Sequence, residues 1–224
     1  MAFSLRTSLA TLTLACTAFA AFAAVAEDGV TDSTILIGQT VGLTGTVAGP
    51  VKEMNEGAQA YFDQVNQQGG VHGRKIEFRI LDDKFDPKLT YINAEQLIKK
   101  DRVFALFLGR GTPHTQGILP LLAANEVPLL APSTGAAIFH TPVNRWLFNI
   151  RVKYQDEIVK AIEHFTTIGI TNIGLLHVDD AFGDDGLEGF NKAMAAHKLT
   201  PAIVTKFARV KPDYAATAAT IIKA

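Results

Sequence analysis

Cysteine is almost missing from this chain. Cys16 is the only one among 224 residues, and it lies within the first 26. If those 26 residues are removed, the protein that remains has no thiol, no disulfide and no cysteine with which to bind a metal. It must then be held by the burial of an apolar core alone, which a chain of about 200 residues can supply.

An excess of charge of either sign is also missing. The chain carries 21 Lys and Arg against 22 Asp and Glu, a formal net charge of −1. Without Arg6, which lies in the first 26 residues, the remainder has 20 basic against 22 acidic side chains, or −2. This balance predicts no nucleic-acid partner and no attraction to an anionic membrane surface.

The motifs of catalysis and of cofactor binding are missing as well. The chain contains no Gly-x-Ser-x-Gly, no Gly-Lys-Ser/Thr and no His-Glu-x-x-His, and its six histidines form no i, i+4 pair. The loop over 109–114 begins like a dinucleotide-binding fingerprint, but His114 stands where the third glycine belongs and Pro113 lacks a backbone donor. The sequence therefore predicts no enzyme, no metal site and no cofactor.

One long apolar run is present, at the N-terminus. Arg6 precedes an apolar stretch over 9–24, and the small-residue triplet Ala-Val-Ala follows, as a signal peptidase requires. We interpret residues 1–26 as a signal peptide cleaved after Ala26, which predicts export to the periplasm. The alternatives are a retained membrane anchor and a lipoprotein acylated at Cys16.

Beyond residue 34, short apolar segments alternate with amphipathic ones. Strands are predicted over 35–42, 75–81, 103–108, 128–131, 146–150, 172–178 and 202–206, and helices over 51–67, from 87, over 117–125, from 155, over 184–197 and from 212. This alternation is typical of an α/β protein with doubly wound parallel sheets.

A break in the alternation near residues 151–153 predicts two such sheets. We therefore expect a signal peptide over 1–26, an N-terminal α/β lobe over 27–151 and a partial second α/β lobe over 152–224. The second lobe is expected to be truncated, because two strands are too few to bury a sheet well on both faces.

Ligands of doubly wound sheets bind in the loops that follow the carboxyl ends of strands. The loop after the predicted fourth strand contains Ser133, Thr134 and Gly135 at an expected helix start, where free backbone N–H groups can bind a carboxylate. The same residue types also form ordinary helix caps, so both interpretations stay open.

Acidic residues cluster in two further loops. Residues 179–185 include four aspartates without the spacing of a calcium loop, and we expect Asp184 and Asp185 to cap the following helix. Phe182, at the tip of this loop, could cover a ligand. The pair over 82–83 ends the second strand and is expected to face solvent or to cap the next element.

Several loop motifs in a fixed order resemble those of a known family. They are Leu43-Thr44-Gly45, Gly57-Ala58, Asn66 with Gly69-Gly70 and Gly73, Asp82-Asp83 with Asp86-Pro87, Pro132-Ser133-Thr134, and Phe182-Gly183 with Gly186. Their order and spacing resemble the type I periplasmic binding proteins of ABC importers, and within them the leucine/isoleucine/valine-binding branch. The resemblance covers about residues 35–224.

The resemblance implies two α/β lobes that close on a small ligand, with the closed form recognised by an ABC permease in the membrane. It puts Thr112 where a hydroxyl meets the ligand carboxylate, and Ser133 and Gly135, with Thr134 between them, at further contacts. Phe182 stands where a tyrosine usually packs on the ligand, so a phenolic hydroxyl is lost. This difference leaves aromatic acids, other carboxylates and amides open beside amino acids. The family expectation is a monomer without a cofactor.

Two classes of function follow. The first is a periplasmic solute-binding protein that delivers an amino acid or a similar small carboxylate or amide to an importer by hinge closure. The alternative is a small-molecule sensor domain that regulates a partner protein, since one fold can host both functions.

Overall fold

The computed structural model describes residues 27–223, so the predicted signal peptide over 1–26 lies outside the described residues. The first lobe contains strands β1 (Thr34–Val41), β2 (Lys75–Asp82), β3 (Ala105–Phe107), β4 (Leu129–Leu130) and β5 (Leu147–Phe148), with helices α1 (Ala48–Gln67), α2 (Pro87–Lys99) and α3 (Thr112–Asn125). The second lobe contains helices α4 (Tyr154–Thr167), α5 (Ala181–Ala196) and α6 (Tyr214–Ile222), with strands β6 (Leu175–Val178) and β7 (Val204–Phe207).

All strands of the first sheet are parallel, in the order β2-β1-β3-β4-β5. β1 pairs with β2 along its whole length and with β3 through Ile37 and Gly38. The winding reverses between β1 and β3, and in sheets of this order the crevice for a ligand opens beyond the carboxyl ends of those two strands. The second sheet pairs β6 with β7, also in parallel.

The loops after β3 and β4 stay together beyond the strands. Leu108 and Ala131 both turn into the left-handed region, with φ of 58° and 52°. Pairing then resumes, because the Ser133 N–H donates to the Gly109 carbonyl at 2.7 Å and Arg110 bridges to Ser133. A short ribbon therefore carries Arg110 and Ser133 side by side past the edge of the sheet.

The predicted doubly wound α/β fold in two sheets is confirmed, and every predicted strand and helix is present except the helix expected after β4. The division of the chain at residue 151 stays a prediction. No helix among the described residues is long and apolar enough to cross a bilayer.

Helix starts are where the sequence predictions were wrong. α3 begins at Thr112, five residues earlier than expected, with Gly111 at its N-cap and Pro113 in its first turn, where a missing N–H costs nothing. α5 begins at Ala181 because the Asp180 carboxylate accepts from the N–H groups of Phe182 (3.0 Å) and Gly183 (3.3 Å).

Asp184 and Asp185, which we expected to cap α5, therefore lie inside its first turns. Asp185 instead connects the two lobes. Its Oδ1 accepts from the Ala137 N–H of the first lobe at 2.9 Å and from Gln155 Nε2 at 3.0 Å. The helix expected after β4 is reduced to one 3-10 turn, Ala137–Phe139, without a side-chain cap. The anion seat predicted at that helix start has no α-helix behind it.

Candidate functional site

A cleft of about 590 Å³ opens between the loops of the first lobe and the second lobe. Thr46, in the loop after β1, and Arg110, in the loop after β3, line it from the first lobe. Tyr154, Phe182 and Arg209 line it from the other side. The cleft thus lies at the point where the first sheet reverses its winding, as the strand order requires.

One wall of this cleft belongs to a continuous series of aromatic rings and guanidinium groups, which we call the interlobe stack. In spatial order, its members are His114, Phe85, Arg209, Phe182, Tyr154 and Arg151. The first two belong to the first lobe and the others to the second lobe or the connection that leads into it. The stack therefore joins the lobes through cation–π and aromatic contacts.

The contacts of the stack range from nearly parallel to edge-on. The rings of His114 and Phe85 lie parallel, with centroids 4.3 Å apart, and the Arg209 guanidinium carbon lies 5.3 Å from the Phe85 ring and 6.0 Å from the Phe182 ring. Phe182 meets the ring of Tyr154 edge-on at 5.1 Å, and the guanidinium of Arg151 covers Tyr154 at 4.9 Å.

Each guanidinium of the stack is matched by a carboxylate. Arg209 Nε donates to Asp180 Oδ2 at 2.5 Å, and Arg151 Nη2 donates to both oxygens of Glu157 at 3.0 Å. Burial acts to raise the pKa of Asp180, but the hydrogen bond and charge of Arg209, together with the N–H groups of Gly183 and Phe182, hold that pKa below its usual value. The stack is thus close to electrically neutral.

Arg110 differs from both of these arginines. Its Nη1 lies 3.4 Å from Ser133 Oγ, and within residues 27–223 no carboxylate forms an ion pair with it. Glycines precede and follow it, and the ribbon of the β3 and β4 loops fixes its backbone. It brings an unmatched positive charge to the cleft.

The threonine hydroxyls that the resemblance assigns to the ligand are buried, unlike the Arg110 guanidinium. Thr112 and Thr134 are 1% and 0% exposed, and their Oγ1 atoms lie 2.8 Å apart, so each hydroxyl has the other as its partner. Gly135 accepts from the Tyr154 N–H at 2.8 Å, and a Cβ there would lie 2.3 Å from the Val152 carbonyl oxygen. Gly135 therefore allows the crossing chain to approach.

The structure brings two of the predicted site residues to the cleft region and leaves three behind it. Phe182 lines the cleft and is 41% exposed, and Ser133 lies beside Arg110. Thr112, Thr134 and Gly135 are buried, and Gly135 contacts the crossing chain. The ligand contacts of all five stay predictions.

Sequence reasoning missed Arg110, Arg209 and Phe85. The rule that ligands bind after the carboxyl ends of strands would have pointed to each, since they follow β3, β7 and β2. Arg110 lies within the loop that fails as a dinucleotide-binding motif, and nothing else in the sequence marks it. No sequence pattern marks Phe85, because its position under Arg209 depends on a buried neighbour.

That neighbour is Asp83, which we expected at the surface and which is fully buried. Its carboxylate accepts from the hydroxyls of Thr40 (3.2 Å) and Thr90 (2.9 Å) and from the N–H of Phe85 (2.9 Å). Burial raises its pKa, and these hydrogen bonds work against that rise. Asp83 thereby holds Phe85 in a left-handed conformation, φ 58°, under the Arg209 guanidinium.

Comparisons with known proteins agree with this architecture. The Leu/Ile/Val-binding protein BraC3 of Rhizobium johnstonii is 32% identical over 133 residues, which are 58% of this chain and 34% of that protein. A substrate-binding periplasmic protein from Ralstonia solanacearum superposes with a TM-score of 0.74 at 32% identity, over 78% of this chain and 50% of that one.

A second similar structure shows the fold alone, because its sequence is only 24% identical. It is a solute binding protein of an ABC transporter from Rhodopseudomonas palustris, solved in complex with 3,4-dihydroxybenzoic acid, with a TM-score of 0.75 over 85% of this chain and 52% of that one. This chain thus spans about a third of the curated relative and about half of each solved structure.

A sequence profile described as "Periplasmic binding protein" matches residues 34–224, nearly everything after the predicted signal peptide. The fold, with its two parallel sheets and the cleft between them, is that of the type I proteins of this group. The chain belongs to the periplasmic binding protein family.

Proposed function

We propose that this chain is the solute-binding protein of an ABC importer and binds an amino acid or a similar small carboxylate or amide between its lobes. The observation that carries this proposal is the cleft itself: both lobes line it, and it contains a guanidinium, that of Arg110, which has no carboxylate partner among residues 27–223. Such a group suits a ligand carboxylate, because bidentate guanidinium–carboxylate pairs are strong and directional.

Hinge closure is the proposed mechanism. A ligand that touches both lobes stabilises the closed state by the difference between its affinities for the closed and open states. Ligand-independent contacts across the cleft, namely the interlobe stack and the Asp185–Ala137 hydrogen bond, set how far that equilibrium lies toward closure beforehand. The ligand then has to supply only the remaining free energy.

The partner and the compartment belong to the same proposal. Members of this family are extracytoplasmic substrate-binding proteins rather than enzymes. The predicted signal peptide over 1–26 supports a periplasmic location, where a monomer with bound ligand would meet the permease.

A thermal-shift screen of the purified protein tests this function. After unfolding and refolding to remove any carried ligand, the panel would contain amino acids, aromatic acids, aliphatic acids and short amides. A ligand at a hundred times its dissociation constant adds about 2.7 kcal/mol of stability, so one chemical class is expected to raise the melting temperature clearly. A cooperative melt that no member of the panel shifts would contradict the proposal.

A further inference from the structure

His114 is a buried titratable group that takes no part in the cleft. It lies in the first turn of α3 and is 1% exposed. Its ring is stacked on Phe85, with centroids 4.3 Å apart, and also packs on the backbone of Gly111, where it leaves no room for a Cβ. Among residues 27–223, neither ring nitrogen has a hydrogen-bond partner. This enclosure suits a neutral imidazole and penalises an imidazolium.

The charged groups that face His114 come from several loops. Asp83, after β2, and Asp180, at the N-cap of α5, favour the imidazolium, whereas Arg209, after β7, opposes it. Arg110, in the loop after β3, lines the same small cavity as His114. Burial is the largest influence and lowers the pKa of His114, with the nearby backbone and the two carboxylates acting against it. The N-terminal end of a helix disfavours a positive charge as well.

The ring of Phe85 contacts both the buried imidazole and the second lobe. It covers His114, and it carries the guanidinium of Arg209 at 5.3 Å from its centroid. We call the arrangement in which Arg209 lies over Phe85 the docked state. If Phe85 moves aside to let water reach His114, Arg209 loses the ring that it lies on. The dry imidazole and the docked state therefore depend on the same ring.

We propose that His114 makes the docking of the second lobe on the first dependent on pH, and that its protonation in mild acid loosens the contact between Phe85 and Arg209. An imidazolium regains its hydration only where it is exposed, so acid favours the arrangement in which Phe85 has moved aside. That arrangement lacks the cation–π contact between the lobes. The ratio of undocked to docked protein should rise by at most about tenfold per pH unit below 6.5, until the pKa of the buried ring is reached.

The consequence for binding rests on the function proposed above. A ligand held between the lobes binds the docked state, so its apparent dissociation constant rises as the docked fraction falls. Ligand would then be released more readily in acid. The docking of the lobes on each other does not depend on that function, and it can be measured without any ligand.

Double electron–electron resonance between two nitroxide labels makes this measurement on the purified protein. The labels are attached at Ala60→Cys of α1 and Ala196→Cys of α5, both exposed, in a Cys16→Ser background that leaves no other thiol. A second distance population, minor at pH 7.5, is expected to grow several-fold at pH 5.0. His114→Phe keeps a stacked ring that cannot titrate and should give the same distribution at both pH values. His164→Phe, the same substitution at an exposed histidine of α4, is the matched control and should respond like the parent.

The other outcomes would overturn the inference. If the second population grows equally in the parent and in His114→Phe, another group such as Asp83 carries the pH dependence. If it does not grow in the parent, the imidazole is not coupled to the docking of the lobes. Should His114→Phe fail to melt cooperatively, His114→Gln takes its place, since it is also uncharged at both pH values.

The thermal-shift screen at pH 7.5 keeps this inference separate from the proposed function. A ligand found in that screen, together with labels that do not respond to acid, would leave the function standing and overturn the role of His114. Docking that follows pH in a protein that binds no member of the panel would support the role of His114 while the proposed function fails.

Discussion

The two lobes differ sharply in how their elements are buried. In the first lobe, Leu97 of α2 and Leu106 of β3 lie in a cluster that continues through α3 to β5. In the second lobe, the buried cluster around Phe190 is confined mainly to the packing of α4 against α5. Leu176 and Val204, on β6 and β7, are nearly half exposed, and no residue of α6 is buried.

This difference teaches where the rigidity of the site comes from. Arg110 and Ser133 extend from strands that the larger cluster holds, so the proposed carboxylate contact rests on a well-packed platform. The aromatic and ion-paired side of the cleft rests on the smaller cluster and is steadied by its contacts to the first lobe, Arg209 on Phe85 and Asp185 on Ala137.

The largest expected effect tests the difference in burial between the two lobes directly. Leu97→Ala should lower the free energy of unfolding by about 2–5 kcal/mol, because a fully buried side chain leaves a cavity. The same substitution at Leu176, 46% exposed on β6, should cost less than about 1 kcal/mol. Urea unfolding measures both. Equal losses would mean that the exposed face of the second sheet is covered in solution, and the comparison would fail.

A smaller effect is expected from the contact between the lobes. Arg209→Gln removes the partner of a half-buried Asp180 and should cost about 1–3 kcal/mol at pH 7. The pKa of Asp180 is lowered in the folded state, so this stabilisation is complete above the usual value of 3.8 and is lost as the pH falls through the lower folded value. The loss caused by the substitution should therefore shrink in strong acid.

Lys206→Gln is the matched control for Arg209→Gln. Lys206 forms an ion pair with Asp179 at 2.9 Å, but both side chains are about half exposed. Its removal should cost no more than about 0.5 kcal/mol. If the two substitutions destabilise the protein equally, Arg209 acts as an ordinary surface cation rather than as a bridge between the lobes.

The sequence predicted the elements of both lobes well, and the reason is local. Apolar runs such as the one in β1, and caps such as Asp86 before Pro87, depend on neighbours within one or two turns, and Asp86 does accept from the Lys88 N–H at 2.8 Å. Asp83 could not be placed in this way. Its partners Thr40 and Thr90 come from β1 and α2, and only the folded sheet brings them together.

The same limit applies to the candidate site. Phe182 was found because a loop tip and a family pattern coincide, whereas the interlobe stack joins residues that are far apart in the chain. Phe85 and Arg209 each look ordinary in sequence. Their relation depends on the way the second lobe docks on the first, which no periodicity encodes.

A pH-dependent effect of about 1 kcal/mol tests the buried end of that stack. Burial lowers the pKa of His114 below its usual 6.5. Between the two pKa values, the unfolded chain therefore binds a proton at this imidazole that the folded protein does not bind. Stability should thus fall as the pH drops below 6.5, by at most about 1.4 kcal/mol per pH unit until the folded value is reached. His114→Phe should remove this slope while keeping the stacked ring.

Charges near His114 act in both proteins, so the comparison isolates the imidazole. Asp83 and Asp180 favour its protonated form and Arg209 opposes it. The raised pKa of Asp83 has the opposite sign, since it lowers stability as the pH rises above 3.8. Stability measured by urea unfolding from pH 7.5 to 5 should therefore diverge between parent and variant. Parallel curves would show that His114 titrates normally.

The smallest expected effect concerns the hydroxyls of the first lobe. It compares the buried pair of Thr112 and Thr134 with Ser133, which lies beside Arg110. Thr112→Val and Thr134→Val should each cost about 1 kcal/mol of stability, because each leaves the other hydroxyl buried without its partner. The double variant should cost less than the sum, since it removes both hydroxyls of the pair. Neither should change the affinity for the ligand that the thermal-shift screen identifies by more than about twofold, whereas Ser133→Ala should weaken that affinity several-fold. If Thr112→Val instead abolishes binding in a protein that melts normally, the buried pair must open toward the ligand. The contact implied by the family resemblance would then hold, and Arg110 would be left as a neighbour of the carboxylate rather than its anchor.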